Sequence, residues 1–351
     1  MKQLPSRSVF YFLVFTLIII FIQVAIGGIT RLTDSGLSMT EWKPIMGSIP
    51  PLNAEQWSKA FEGYKQIPQY EIVNKGMSMS DFKFIFFWEY MHRMWGRVGF
   101  MFILFGFLYF LVRKQLNPVW IKRFIAVILL YAAQGVMGWF MVKSGLSENI
   151  RVSHYRLTAH LLLAISIFAY FAWLLSKFFK VEAVATKASI QKIKPYAIAL
   201  IILLLIQITY GGFMAGIKAA IHYPSWPMMN DKLVPDNLFF MKPFIKNFGE
   251  NIATIQFVHR CLAYFLLFAI SWFWFKVRPQ IKHWSVSALP VLLLGQVLLG
   301  IATLLAAKGG VVSLSWGVMH QITGLLLFTN FLLVWFIIKD QLQLFSKQSA
   351  H

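Results

Sequence analysis

Long apolar segments alternate with shorter polar ones along this 351-residue chain. The longest contain about 18 or more residues each, enough for an α-helix to cross a hydrocarbon core ~30 Å thick. The first segment runs into a polar loop without a small-residue cleavage site, so we interpret it as a retained helix rather than a signal peptide. The pattern predicts an all-α integral membrane protein. Its eight predicted membrane-spanning helices lie near 9–29, 84–112, 124–142, 153–176, 195–214, 253–275, 286–306 and 313–338.

The second half of the chain repeats features of the first in the same order. Gln23 with Gly27 and Gly28 recurs as Gln207 with Gly211 and Gly212, His92–Arg93 as His259–Arg260, Gln134 with Gly138 as Gln296 with Gly300, and His160 as His320. Each repeat holds four predicted helices, so both have the same orientation. We therefore expect two tandem four-helix bundles related by a pseudo-twofold axis along the membrane normal. The repeated glycines are explained either by close approach to a flat cofactor or by ordinary helix packing.

The predicted domains follow from this repeat. An N-terminal bundle at 1–176 includes a long polar loop at 30–83, and a linker at 177–194 leads to a C-terminal bundle at 195–351.

Charge predicts the orientation in the membrane. The formal net charge is +20, and five polar segments (1–8, 113–123, 177–194, 276–285 and 339–351) hold 16 Lys and Arg against 2 acids. The other polar segments hold 13 Lys and Arg against 10 acids. Positive residues collect on the cytoplasmic side, so we expect both termini there and the loop 30–83 outside. A nucleic-acid-binding surface is not expected, because no basic run occurs in a predicted soluble domain. We therefore expect a lipid membrane and no nucleic acid as partner. Cys261 lies within a predicted span. It is the one cysteine, so no disulfide can form within the chain.

Four histidines lie about seven residues inside the same end of four predicted helices: His92, His160, His259 and His320. At a rise of ~1.5 Å per residue, their rings lie roughly 10 Å below the outer membrane face. Neutral imidazole is a ligand of haem iron, and two facing helices can supply both axial ligands. We therefore predict two haem-iron sites, one in each half. The other histidines lie at span ends, in loops or at the C-terminus and are not expected to be ligands: His154, His222, His283 and His351.

The two halves differ beside these histidines. Glu89 lies three residues before His92 on the same helical face, whereas the equivalent residue of the second half is Gln256. A carboxyl group inside a membrane is costly and is a functional candidate. The first half is therefore predicted to be the reactive site. The alternative is that Glu89 forms an ion pair with Arg93 or Arg156 that only stabilises the fold.

Three arginines are candidates for cofactor binding. Arg93 and Arg260 directly follow predicted ligands, and Arg156 lies four residues before His160, where the second half has Trp316. Guanidinium groups bind carboxylates such as haem propionates well. The alternative is that they are anchors that extend toward the membrane surface.

The long outer loop is predicted to contain a short amphipathic helix. Asn53 and Gln56 are spaced as a capping box that opens it. Trp57, Phe61 and Tyr64 then form one aromatic stripe, which we expect in the headgroup region. The stripe is either a lid above the haem edges or an interfacial anchor.

With these residues, the chain resembles the haem A synthase family, membrane enzymes of cytochrome oxidase assembly. The matching stretches are GGITRLTDSGLSMTEWKPIMGSIPPLNAEQW from Gly27, NKGMSMSDFKFIFFWEYMHRMWGR from Asn74, GWFMVKSGL from Gly138, YRLTAHL from Tyr155, QFVHR from Gln256 and MHQ from Met319. One branch of the family carries a redox cysteine pair in its outer loops. This chain has none there, so it resembles the proteobacterium-like and mitochondrial branch.

The resemblance implies oxidation of the C8 methyl group of haem O to a formyl group, which yields haem A for the terminal cytochrome oxidase. It implies that His259 and His320 bind a resident haem b, that His92 and His160 face the substrate haem O, and that Glu89 is required for the chemistry. Two successive hydroxylations would give a geminal diol that loses water to become the aldehyde, with Glu89 taking protons or orienting water.

The resemblance also implies partners and a location. The partners are haem O and haem A, with haem O synthase, assembly factors of cytochrome oxidase and a second copy of the chain as further candidates; the electron acceptor stays open. The expected location is the bacterial inner membrane, with the haem sites near its outer face. Two other functions use the same histidines. A bis-histidine dihaem cytochrome only transfers electrons and has no need of Glu89 on one side, and a haem carrier oxidises nothing.

Overall fold

The computed structural model describes residues 5–40, 48–147, 151–179 and 186–348. Part of the predicted outer loop (41–47), part of the predicted linker (180–185) and His351 lie outside these ranges. The α-helices of the described ranges are α1 (Arg7–Leu32), α2 (Ala54–Lys65), α3 (Pro68–Ile72), α4 (Met79–Val112), α5 (Pro118–Ser147), α6 (His154–Ser176), α7 (Lys187–Gly216), α8 (Asn247–Glu250), α9 (Ile252–Val277), α10 (Trp284–Leu305) and α11 (Leu314–Gln348).

Eight of the described helices are long and apolar enough to cross a membrane, and they lie at the eight predicted places. The prediction of an all-α membrane protein with eight spans is confirmed. Large apolar side chains stay exposed on these helices, for example Phe268 (73%) and Val291 (71%), as expected of surfaces that meet lipid rather than water.

Several spans begin earlier than their apolar segments because polar residues cap the helices. Helix α4 begins at Met79 since Ser78 and Asp81 form a capping box, in which each side chain meets the other residue's backbone N–H. The side chain of Thr186 accepts from the backbone N–H of Ser189 at the start of α7. Hydropathy alone does not detect such polar first turns.

The chain divides into two compact units, Met1–Ile167 and Phe168–His351. In the first unit, α1 packs along α4, and α4 contacts α5. In the second unit, α7 contacts α9, α9 contacts α10, α10 contacts α11, and α11 contacts α7. These four helices close a ring, so α9 and α11 lie on opposite sides of it.

The described part of the outer loop folds onto the start of α4. We call the cluster that joins them the loop core, and it consists of Leu37, Phe61, Tyr64, Ile67, Phe82, Ile85, Phe86 and Val142. The ring of Phe61 stacks on that of Phe82 with centroids 4.8 Å apart, and the ring of Trp57 meets that of Phe86 at 5.0 Å. The predicted aromatic stripe of α2 therefore faces protein, and the expectation that it lies among lipid headgroups is wrong for Phe61 and Tyr64.

The predicted capping box of α2 is half right. The side chain of Asn53 accepts from the backbone N–H of Gln56, as expected. The side-chain oxygen of Gln56 accepts instead from the backbone N–H of Leu52, one residue before the cap.

Candidate functional site

His92 on α4 and His160 on α6 meet within the first unit. Their ring centroids are 6.5 Å apart and their planes cross at 70°. In the second unit, His259 lies on α9 and His320 on the opposite helix α11, and both helices contact α7 and α10. The four predicted ligands therefore form two pairs, each inside one unit. The remaining described histidines do not join them, and His283 instead caps α10 by accepting from the backbone N–H of Ser285.

Each of these four histidines contacts a glutamine on the preceding long helix. The amide nitrogen Nε2 of Gln23 lies 3.1 Å from Nδ1 of His92, and that of Gln134 lies 3.2 Å from Nε2 of His160. In the second unit, the corresponding distance to Nε2 of the histidine is 3.4 Å for both pairs, Gln207 with His259 and Gln296 with His320.

Three of the glutamines hold the backbone of the histidine as well. Nε2 of Gln23, Gln134 and Gln207 donates to the carbonyl oxygen of its histidine at 3.1, 3.0 and 3.2 Å. In the fourth pair, Nδ1 of His320 lies 3.1 Å from the backbone oxygen of Gln296. Sequence reasoning found these glutamines as markers of the duplication but missed that they contact the histidines.

A glycine four residues after each glutamine faces the same imidazole. A Cβ atom built on the glycine would lie 3.0 Å from Cε1 of the histidine at Gly27, 3.1 Å at Gly138, 3.5 Å at Gly211 and 2.9 Å at Gly300. Residues four apart share a helical face, so one turn of helix presents an amide and a gap to each ring. These glycines therefore leave room for the histidine ring.

Glu89 is almost completely buried (2% exposed) and accepts from three donors. The hydroxyl of Ser38 and the backbone N–H of Met39 each donate to Oε2 across 2.7 Å. Oε1 forms an ion pair with Arg93, whose Nη2 also donates to the backbone oxygen of Met39. The loop after α1 and the helix that carries His92 thus hold one carboxylate between them.

The second unit repeats this arrangement with an amide. Gln256 is fully buried and its Nε2 donates to the backbone oxygen of Tyr223 across 3.0 Å. Arg260 donates to the same oxygen across 2.8 Å and to that of Met228 across 3.2 Å. Each unit therefore uses two residues of one helix to bind a polar loop. The first unit uses Glu89 with Arg93 and the second uses Gln256 with Arg260, so only the first pair contains an acid.

Arg156 lies apart from Glu89. Its Nη1 donates to the backbone oxygen of Phe140 on α5, and its guanidinium stacks 3.8 Å from the centroid of that ring. Of the two ion pairs considered for Glu89, the structure forms the one with Arg93. Ser38, Met39 and Tyr223 are the site residues that sequence reasoning missed. Ser38 stands in the matching stretch from Gly27, but nothing in the sequence links it to a residue 51 positions later.

The chain is similar to several bacterial proteins over most of its length. It is 43% identical over 317 residues to "Heme A synthase" of Nitrosomonas eutropha, which covers 89% of this chain and 88% of the relative. It is 39% identical over 323 residues to "Heme A synthase" of Parvibaculum lavamentivorans, covering 92% of each chain. The protein of the same name from Flavobacterium johnsoniae is 39% identical over 331 residues, covering 90% of this chain and 94% of the relative.

A sequence model of the family described as "Cytochrome oxidase assembly protein" (COX15-CtaA) matches residues 10–332. That range contains all four paired histidines, their glutamines and Glu89. Together with the eight apolar helices, these matches show that the chain belongs to this family of cytochrome oxidase assembly proteins.

Proposed function

We propose that the chain is a haem A synthase, which oxidises the C8 methyl group of haem O to a formyl group. The single observation that carries the proposal is the buried carboxylate of Glu89, held by three donors one helical turn from His92. The names of relatives that cover about nine tenths of the chain support it.

The pair His92 and His160 fits an iron-containing substrate between its rings. Bonds from a metal to an imidazole nitrogen are about 2 Å long, so two bonds in line, with half a ring on each side, separate the centroids by roughly 6 Å. The observed separation is 6.5 Å. We propose that these two residues bind haem O with its methyl group toward the side of α4 that carries Glu89.

Glu89 is proposed to take up protons or to orient water as the methyl group is oxidised. With water as the oxygen source, two hydroxylations convert the methyl group to a geminal diol and release four protons and four electrons, which pass to an electron acceptor outside the chain. The diol then loses one water to give the formyl group. Three hydrogen bonds fix the carboxylate in one orientation, so it keeps its place while the substrate changes. The loop core positions the donors because Leu37, beside Ser38, is buried in it.

The pair His259 and His320 is proposed to hold a resident haem b. The donor set fits this group: both side chains are imidazoles on opposite helices of one ring, and each faces a partly buried glutamine. Bound there, haem b would supply an electron carrier. With Gln256 in place of an acid, this half has no equivalent base, so we propose that it takes no part in the methyl chemistry.

The remaining assignments follow from a substrate site in the first half and a resident haem site in the second. We propose that residues 1–176 form the substrate bundle and 195–351 the resident haem bundle, joined by the linker 177–194. We propose that three arginines at the polar ends of the histidine-bearing helices bind haem propionates in addition to their protein contacts: Arg93, Arg156 and Arg260. Partners are haem O, haem A and, by their chemistry, the enzymes that supply haem O and receive haem A. The orientation proposed from charge puts both termini in the cytoplasm and both haem sites near the outer face.

Haem extraction tests the activity against its rivals. The chain is produced in a host without its own haem A synthase, with and without a supply of haem O, and the extracted haems are separated and weighed by mass spectrometry. We expect the formyl product only when both the chain and haem O are present. Tightly bound haem without any formyl product would favour a cytochrome that only transfers electrons. Loosely bound, unchanged haem would favour a haem carrier.

A further inference from the structure

Four partly buried glutamines contact the four paired histidines, and we infer that they are positioning residues for iron ligation: Gln23, Gln134, Gln207 and Gln296. We propose that Gln23, Gln134 and Gln207 each accept the N–H of their imidazole through Oε1 while the other ring nitrogen binds iron, and that at His320 the backbone oxygen of Gln296, 3.1 Å from Nδ1, is the acceptor. The inference rests on the proposed haem ligation and assigns to these glutamines the control of ring orientation and ligand strength.

The same contact is built four times. Each amide lies 3.1 to 3.4 Å from the nearest nitrogen of its imidazole, although the four helix pairs differ in sequence around it. The glycine one turn later leaves space for the ring on the same helical face. Helix packing alone requires small residues but no amide, so a fourfold combination of amide and gap indicates a requirement of the ring itself.

The oxygen atoms of these amides provide the second observation. Oε1 of all four glutamines is buried and has no hydrogen-bond partner among the described residues. A buried acceptor left without a donor costs about 1–3 kcal/mol, so a partner for it is expected.

Iron ligation supplies that partner. A histidine that binds a metal through one nitrogen carries a proton on the other, and this N–H almost always donates to an acceptor nearby. Rotation of an amide by 180° exchanges its nitrogen and oxygen, so a glutamine can present Oε1 to the N–H without moving its backbone. For Gln23, Gln134 and Gln207 this rotation replaces the bond from Nε2 to the carbonyl oxygen of the histidine. The acceptor then fixes the tautomer and the rotation of the ring, and it raises the basicity of the ligand.

Gln207 is the most direct position to test, because its histidine belongs to the proposed resident haem site. Gln207→Met removes the acceptor at similar length, and Gln207→Glu supplies a stronger one. The purified full-length variants are compared with the parent for haem per chain, for the electron paramagnetic resonance spectrum of the ferric haem and for its reduction potential. We expect Gln207→Met to lose roughly 10- to 100-fold in haem affinity and to broaden the ferric signal. We expect Gln207→Glu to keep haem and to lower its reduction potential.

Two further variants keep the outcomes distinct. Gln341→Met changes a buried glutamine elsewhere in the same unit, roughly 30 Å along α11 from His320, and should leave haem content and spectrum unchanged. His259→Ala should remove the haem. If His259→Ala retains it, the proposed ligation is wrong; if His259→Ala loses it while both Gln207 variants match the parent, the role of the glutamines is wrong. Equal losses in Gln207→Met and Gln207→Glu would also overturn that role, because only packing predicts them.

Discussion

Ser38 donates its hydroxyl group to the carboxylate of Glu89 across 2.7 Å, which joins the loop after α1 to the helix that carries His92. Both side chains are buried, at 1% and 2% exposed. The equivalent contact of the second unit joins Gln256 to the carbonyl oxygen of Tyr223. A donor on the loop therefore faces an acid in the first unit, and an acceptor on the loop faces an amide in the second. The loop and the buried residue are thus matched in polarity within each unit.

Removal of the Ser38 hydroxyl should impair the reactive site without unfolding it. Ser38→Ala leaves Glu89 with Met39 and Arg93 as donors, and a hydrogen bond to a charged group contributes about 1.5–3 kcal/mol. We expect haem A formation to fall on the order of tenfold, with haem content unchanged. Ser166→Ala is the control, since Ser166 is exposed and only donates to a carbonyl of its own helix. Equal rates in the two variants would exclude a role for Ser38.

Two of the glycines that face the paired histidines should differ in their tolerance of a methyl group. At Gly300 a Cβ atom would lie 2.9 Å from Cε1 of His320, so the ring must shift, whereas at Gly211 the distance to His259 is an ordinary 3.5 Å. We expect Gly300→Ala to lower the haem content of the purified chain and Gly211→Ala to keep it at the parental level. Similar haem contents in both variants would show that the ring at His320 moves freely.

The orientation is tested by reporter fusions. If the positive-inside distribution holds, reporters after residues 65 and 235 are exported, and reporters after 117, 185 and 280 stay in the cytoplasm. Alkaline phosphatase and a fluorescent protein at the same five positions give opposite readouts and check each other. A cytoplasmic signal at 65 or 235 would invert the orientation and move the histidines to the inner face.

The loop core should depend on pH through Tyr64. Burial raises the pKa of Tyr64 to about 12, from an ordinary value of 10.0. Above pH 10 the unfolded loop loses this proton while the folded loop keeps it, so the stabilisation is complete below pH 10 and declines as the pH rises toward 12. The difference in tyrosinate absorbance between the parent and Tyr64→Phe should titrate near pH 12. A difference that titrates near pH 10 would mean that the ring is solvated.

Sequence predicted the eight spans because their apolar length is a local property, and it predicted the histidine pairs because equal depth within a helix can be counted. The contacts of Glu89 could not be found in this way. Ser38 reaches it only because Leu37 beside it joins the loop core, and that depends on how aromatic rings of α2 meet Phe82 on α4.

The aromatic stripe of α2 shows the limit of the pattern itself. Amphipathic spacing establishes that Phe61 and Tyr64 share one face but does not reveal whether lipid or protein covers that face. The pairing of each glutamine with a histidine was hidden for a similar reason. A spacing of four between Gln23 and Gly27 marks a shared face, and only the packing of α1 on α4 shows that His92 lies against it.

The most direct test of the account is the exchange of acid and amide between the two units. Glu89→Gln keeps the size of the side chain and removes the proton acceptor, whereas Gln256→Glu places an acid in the equivalent position of the second unit. Each variant is produced with a supply of haem O, and haem A is measured per folded chain. We expect Glu89→Gln to retain haem but to lose haem A formation on the order of 10²-fold or more, and Gln256→Glu in that background to restore none of it. Haem A formation by Glu89→Gln at close to the parental rate would contradict the assignment of the first unit as the reactive site.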